Sequence, residues 1–184
     1  QKPFRMSVKN RNSIVTDGLV FYVDAGNEDS YPGSGTTWND MISGNVGTLY
    51  NGPTFDSANG GSIDFDGSND RTDFPSDSSF KPTGSMTLLV WAKGQSGSTS
   101  IGIAGALGAS GDRGYFIGCN TSQFRFSIAS NSTTLVNATA THTDTTSAPF
   151  MLTGVYSAST HLKLYKNASE IASNTTSIPA TQYV

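Results

Sequence analysis

Five carboxylate or amide side chains crowd the segment "DFDGSNDRTD": Asp64, Asp66, Asn69, Asp70 and Asp73. Hard cations take several oxygen ligands from carboxylates, amides and main-chain carbonyls on loops, so Asp64, Asp66, Asn69 and Asp70 are candidate calcium ligands. A second candidate is Asp112 in "GASGDRG". Both segments read equally well as turns, because Asp and Asn bond to local backbone groups and accept positive φ. Other chemistry has less to work with. The only glutamates are Glu28 and Glu170, and neither has a neighbouring acid in the pattern that paired-carboxylate hydrolysis needs. No Gly-x-Ser-x-Gly elbow is present, His142 and His161 lack metalloprotease spacing, and the lone Cys119 reads as packed in a strand. The chain is therefore not expected to be an enzyme.

Charge narrows the ligand classes further. The formal net charge is −3, but Lys2, Arg5, Lys9 and Arg11 gather four of the eleven basic residues at the start. The remainder sets seven basic against fourteen acidic residues, a net of −7. An acidic body without a basic face excludes duplex nucleic acid as its ligand. A single cysteine excludes an intrachain disulfide and favours folding in a reducing compartment. The runs "LVFYV" and "LLVWA" are far too short to span a membrane, and no apolar signal region follows the basic start. The five Asn-x-Ser/Thr matches, from Asn120 onward, read as chance in an Asn/Ser/Thr-rich chain.

The elements that must position these groups are strands. At 184 residues, with 35% hydrophobic and 14% charged residues, the chain suits one sheet-rich domain. The run "GLVFYVD" (18–24) reads as a buried strand. Further strands are "GTLY", "SIDFD", "SMTLLVWAK", "GYFIGC", "QFRFSIA", "STTLVNAT", "FMLTGVYS" and "HLKLYKN". No segment shows helical periodicity. "QFRFS" and "HLKLYK" alternate as strands of a two-layer protein do, and "MTLLVWA", apolar on both faces, is expected centrally. The prediction is an all-β, antiparallel two-sheet β-sandwich or jelly roll. Its core is expected to include Leu19, Phe21, Phe65, Leu88, Val90, Trp91, Phe116, Phe126, Leu152 and Leu164. The turn-rich segment 24–55, with "YPGSG" and "SGN", then reads as a long structural connection or as a ligand loop.

A family resemblance rests on an ordered set of motifs over residues 16–93: "TDGLVFYVDAGNEDSYPGSGTTWNDMISGNVGTLYNGPTF", then "GGSIDFDGSND", then "FKPTGSMTLLVWAK". This order resembles the laminin-G-like, concanavalin A-like domains of many marine phage structural proteins and bacterial surface proteins. "LKLYKNASEIAS" is more loosely similar to a late hairpin of that family. The turn in "NDMISGNVGTLY" departs from the family pattern, and "IPATQYV" falls before the closing strands that such domains carry. The four early cations, Pro3 and the lack of strand alternation set off a basic arm, 1–14, from a laminin-G-like jelly-roll domain, 15–184. The resemblance also implies an open sheet edge that a neighbouring chain covers or that further residues close.

Function follows from the resemblance as expectation. Calcium in pentraxin-like relatives lies on the loop where Asp112 falls, although their adjacent Asn and second acid are missing here. Sugar binding by such folds stacks aromatic rings on pyranoses, which nominates Tyr31, Trp38, Tyr50 and Tyr115, with Trp38 also suited to plugging one end of the sandwich. The leading expectation is a non-catalytic, lectin-like module on a phage virion surface, as head decoration or fibre, assembled in the host cytoplasm. It would bind glycans or stabilise the shell as part of an assembly. The alternative is an adhesive module of a bacterial cell surface, and a glycoside hydrolase is the weaker third. Lys2, Arg5, Lys9 and Arg11 are expected to bind an acidic neighbouring subunit, or else to form a solvated leader before a start at Met6.

Overall fold

The computed structural model describes residues 14–93, 101–106, 114–120, 122–142 and 148–183. Thirteen short strands dominate: β1 (Thr37–Asn39), β2 (Val46–Tyr50), β3 (Thr54–Asp56), β4 (Ser62–Asp64), β5 (Arg71–Asp73), β6 (Met86–Ala92), β7 (Ile101–Ala106), β8 (Tyr115–Cys119), β9 (Gln123–Ala129), β10 (Leu135–Thr141), β11 (Phe150–Ser157), β12 (His161–Lys166) and β13 (Ser169–Asn174). All pairing is antiparallel. Two four-stranded sheets, ordered β10-β9-β8-β7 and β13-β12-β11-β6, form the sandwich. A smaller sheet, β1-β2-β5, and the hairpin β3-β4 precede it in the chain.

Alternation explains which side chains meet between the layers. On β11, Phe150, Leu152, Gly154 and Tyr156 are buried while the residues between them are half-buried. Ile117 and Ala138 flank Phe126 across one sheet; Leu88 and Leu164 flank Gly154 across the other. These rows meet where the Phe126 ring lies on Gly154. A Cβ added at Gly154 meets three carbons of that ring within 2.7 Å. Phe126, Leu152, Leu162 and Leu164 are fully buried around this point. Burying each such side chain contributes about 1.5 to 3 kcal/mol.

Several expectations change. Residues 18–24 do not enter a ladder, because their backbone groups find partners in a turn: Tyr22 N–H donates to Asp40, and Tyr22 C=O accepts from Met41 N–H. Leu19 and Phe21 are only half-buried, with Phe21 edge-on to Phe74 and Phe80 at 4.9 and 5.2 Å. β6 lies at a sheet edge and not in the centre. Its inward set is Met86, Leu88, Val90 and Ala92, so period two sends Leu89 and Trp91 outward. Trp91 is 69% exposed and not core. Phe65 is exposed past the end of β4, and Phe116 is half-buried on an outer face.

The side of the sandwich where β10 meets β13 is closed, with the Asn174 amide donating to the Asn137 carbonyl at 2.9 Å. At one end of the sandwich the Tyr156 hydroxyl donates to the Pro179 carbonyl at 2.7 Å, and Tyr183 N–H donates to Ala129 C=O. Among the described residues no helix is long and apolar enough to cross a membrane. Gly154→Ala should lower unfolding free energy by about 3 kcal/mol, the upper part of the overpacking range. Trp91→Ala should change it by less than about 0.5 kcal/mol, as for exposed positions. Chemical denaturation of the two variants beside the parent checks both.

Candidate functional site

The long connection 24–55 is built around buried polar side chains. Asp40, 3% exposed, accepts N–H groups of Tyr22, Ile42 and Ser43, together with the Ser43 hydroxyl. Burial alone would raise its pKa. The Ser43 hydroxyl and the three N–H donors outweigh that and hold the carboxyl below the usual carboxylate range. Ser30, fully buried, accepts from Asp24 N–H and donates to Asn39 C=O. Gly26 packs so closely on Gly60 that a side chain there would strike the Gly60 carbonyl. The segment is therefore a structural knot that joins the first extended residues to the "SGN" turn, and its polar atoms serve its own backbone.

The four aromatics named from the sequence do not form a sugar platform. Tyr31 is 3% exposed, donates its hydroxyl to Gly35 C=O, and packs against Trp38 and Phe55. The Trp38 indole is half-buried, and its Nε1 has no hydrogen-bond partner among the described residues. Tyr50 is 41% exposed, but the Arg71 guanidinium lies 4.6 Å from its ring centroid. Tyr115 is buried, donates to Phe80 C=O, and has its phenol pKa raised by burial.

The acidic segment also serves itself. Asp66 Oδ1 accepts from Ser68 and Asn69 N–H, Asp70 Oδ2 accepts from Asp66 N–H, and the Asn51 amide donates to Asn69 C=O. Asp64 sits on β4, while Asp73 on β5 pairs with Arg71 at 2.8 Å. Among the described residues no three His, Cys, Asp or Glu side chains gather as a metal group. Asp112 and the cations Lys2, Arg5, Lys9 and Arg11 lie outside the described residues.

A different constellation lies on the outer face of the β10-β9-β8-β7 sheet. A small depression there is lined by Phe116, Gly118, Cys119, Asn120, Gln123 and Arg125. Gly118 pairs with Arg125 across the β8-β9 ladder, so a residue without a side chain leaves a hollow beside the long Arg125 stem. The Arg125 guanidinium lies 5.1 Å from the Phe116 ring centroid. Asn120 holds the β8-β9 turn by accepting N–H groups of Ser122 and Gln123. In the neighbouring row Ser127, fully buried, donates to Asn137 at 2.7 Å. Burial pushes the Cys119 thiol up to about 11, so it is packing and not a nucleophile. The signal for this face was the alternation in "QFRFS", which sets Gln123 and Arg125 opposite the buried Phe124 and Phe126. Phe116 was missed because its aromatic neighbourhood reads as core.

Antiparallel jelly-roll sandwiches are an architecture that lectin domains share with other proteins. A family model described as the concanavalin A-like lectin/glucanases superfamily matches residues 66–183, and the chain belongs to that family. The match runs through the later strands, where motif resemblance was looser. No curated protein and no solved structure matches the chain.

Asp40→Ala should cost about 2 kcal/mol or more by stranding backbone donors. Because the folded pKa of Asp40 lies below the unfolded value, its contribution is complete above about pH 4 and is lost as pH falls through the folded value. The stability gap between parent and Asp40→Ala should therefore narrow in acid. Denaturation midpoints measured at neutral pH and at successively lower pH check this.

Proposed function

We propose that this domain is a non-catalytic, lectin-like module that binds saccharides on the outer face of the β10-β9-β8-β7 sheet and acts in adhesion. The observation that carries the reading is the depression itself. It combines an aromatic ring, a guanidinium and two carboxamides around a glycine floor, a set that supplies apolar contact and directional hydrogen bonds to a sugar. Family membership supports carbohydrate recognition at the level of class.

The binding reading is preferred to hydrolysis on chemical grounds. Glycoside hydrolysis uses two carboxyl groups flanking the bond, one of them with a raised pKa. The described residues from β7 to β10 include no Asp or Glu. Glu170 lies on β13 in the other sheet, where hydrogen bonding from Lys163 holds its pKa below the ordinary range, opposite to the need of a general acid. Glu28 is exposed on the long connection. Presentation on a virion or on a cell surface both suit an adhesive module, and the virion setting is the one the motif order of residues 16–93 favours.

Glycan-array screening of the parent, followed by calorimetry on the best ligand, tests the proposal. Phe116→Ala and Gln123→Ala should each weaken binding by at least about tenfold, roughly 1.4 kcal/mol, while melting temperatures stay within a few degrees. Binding unaffected by both substitutions removes the site from this face. Reducing-sugar release that depends on Glu28 or Glu170 would overturn the non-catalytic reading.

A further inference from the structure

We infer that the saccharide held on the β10-β9-β8-β7 face is an acidic one, its carboxylate or sulfate group taken by the Arg125 guanidinium and the Asn120 amide of the depression. The inference rests on the saccharide reading of this face and names its ligand class.

Donors dominate the polar groups of the depression. Asn120 Oδ1 accepts the N–H groups of Ser122 and Gln123 at 2.9 and 2.8 Å, together with the Ser122 hydroxyl at 3.3 Å. A backbone N–H can only donate, so the amide oxygen faces the turn and the Asn120 NH2 group, a pure donor, faces away from it. Arg125 adds a planar fork of N–H donors, enough to serve the fold and a ligand at once. Across the ladders Arg125 faces Gly118 on β8 and Thr139 on β10, so neither neighbouring strand sets a carboxylate opposite it. Besides Asn120, only Gln123 brings a side-chain oxygen to the lining.

Charge points the same way. Among the described residues from β7 to β10, Arg125 is the one Asp, Glu, Lys or Arg. Eleven of the fourteen acidic residues lie from Asp17 to Asp77, the others being Asp112, Asp144 and Glu170. A neutral sugar offers hydroxyls that donate as well as accept, and this lining has little to receive their protons. A carboxylate or sulfate only accepts, and its charge-assisted bonds to a guanidinium are about twice as strong as neutral ones. The Phe116 ring, 5.1 Å from that guanidinium, supplies the apolar face for the pyranose that carries the acid.

Calorimetry on the full chain with two matched pairs is the test: an oligogalacturonide beside its methyl ester, and a sulfated galactan oligosaccharide beside its unsulfated parent. At least one acidic form should bind about tenfold or more tightly than its neutral match, and the ratio should shrink as salt rises. Whichever pair shows the preference separates carboxylate from sulfate. Asn120→Asp keeps an oxygen facing the turn and sets a second oxygen in place of the NH2 group, while Arg125→Gln removes the charge. Both should bring the ratio toward one, whereas Phe116→Ala should weaken both members of a pair and leave the ratio. Neutral forms bound as tightly as acidic ones overturn the inference and leave the saccharide reading standing. A parent that binds none of the four overturns it too, and the glycan array then decides whether the saccharide reading falls with it. A preference that survives both Asn120→Asp and Arg125→Gln assigns the acid to another site and is equally fatal. If Arg125→Gln does not fold, the parent ratio and Asn120→Asp decide.

Discussion

The seat of the Phe126 ring on Gly154 is the contact on which the sandwich depends. A β-sandwich needs its inner faces to interdigitate at native packing density, and two bulky rows facing each other would hold the sheets apart. Here one sheet offers a full aromatic ring and the opposite sheet offers a bare backbone at the same point. Leu88 and Leu164 then close in on both sides of the glycine, and Ile117 and Ala138 on both sides of the ring. The residues around this contact have almost no exposed surface, which makes them the part of the molecule least able to absorb a volume change.

The N-terminal third obeys a different rule. Its extended residues carry aromatic and β-branched side chains, but their backbone groups are answered by carboxylate, hydroxyl and turn carbonyl and not by a neighbouring strand. Asp40 and Ser30 thereby replace part of a ladder. A buried carboxylate is tolerable because four donors converge on it, and each donor would otherwise be a stranded polar group. The turn-rich connection thus ties the first residues to the small sheet.

With the inner faces committed to packing, the outer faces and edges carry the side chains that remain available to solvent. The two sheets differ sharply there. One carries Phe116, Gln123 and Arg125 around a hollow, chemistry suited to a hydroxylated ligand. The other carries Leu89 and Trp91, both exposed, on the strand β6. Period two links these outward positions to the core, since Phe116, Arg125, Leu89 and Trp91 each lie between two residues that are buried or packed against it.

By itself the sequence determined the fold class and most strand positions, because alternation in "QFRFS" and "HLKLYK", turn residues between short apolar runs and the lack of helical periodicity are local signals. It also determined that Phe126, Leu152 and Leu164 go inside. Tertiary structure decided what local pattern leaves open. "MTLLVWA" is apolar on both faces, so only its partner, β11 on one side alone, made it an edge and put Trp91 outside. "LVFYV" has strand propensity, yet Asp40 took its backbone bonds. Tyr31 and Tyr115 sit beside turn residues like exposed rings, and only long-range packing buried them. The depression on the β10-β9-β8-β7 sheet follows the same reason: Phe116, Asn120 and Gln123 become neighbours through strand register, which is a property of pairing and not of any single strand.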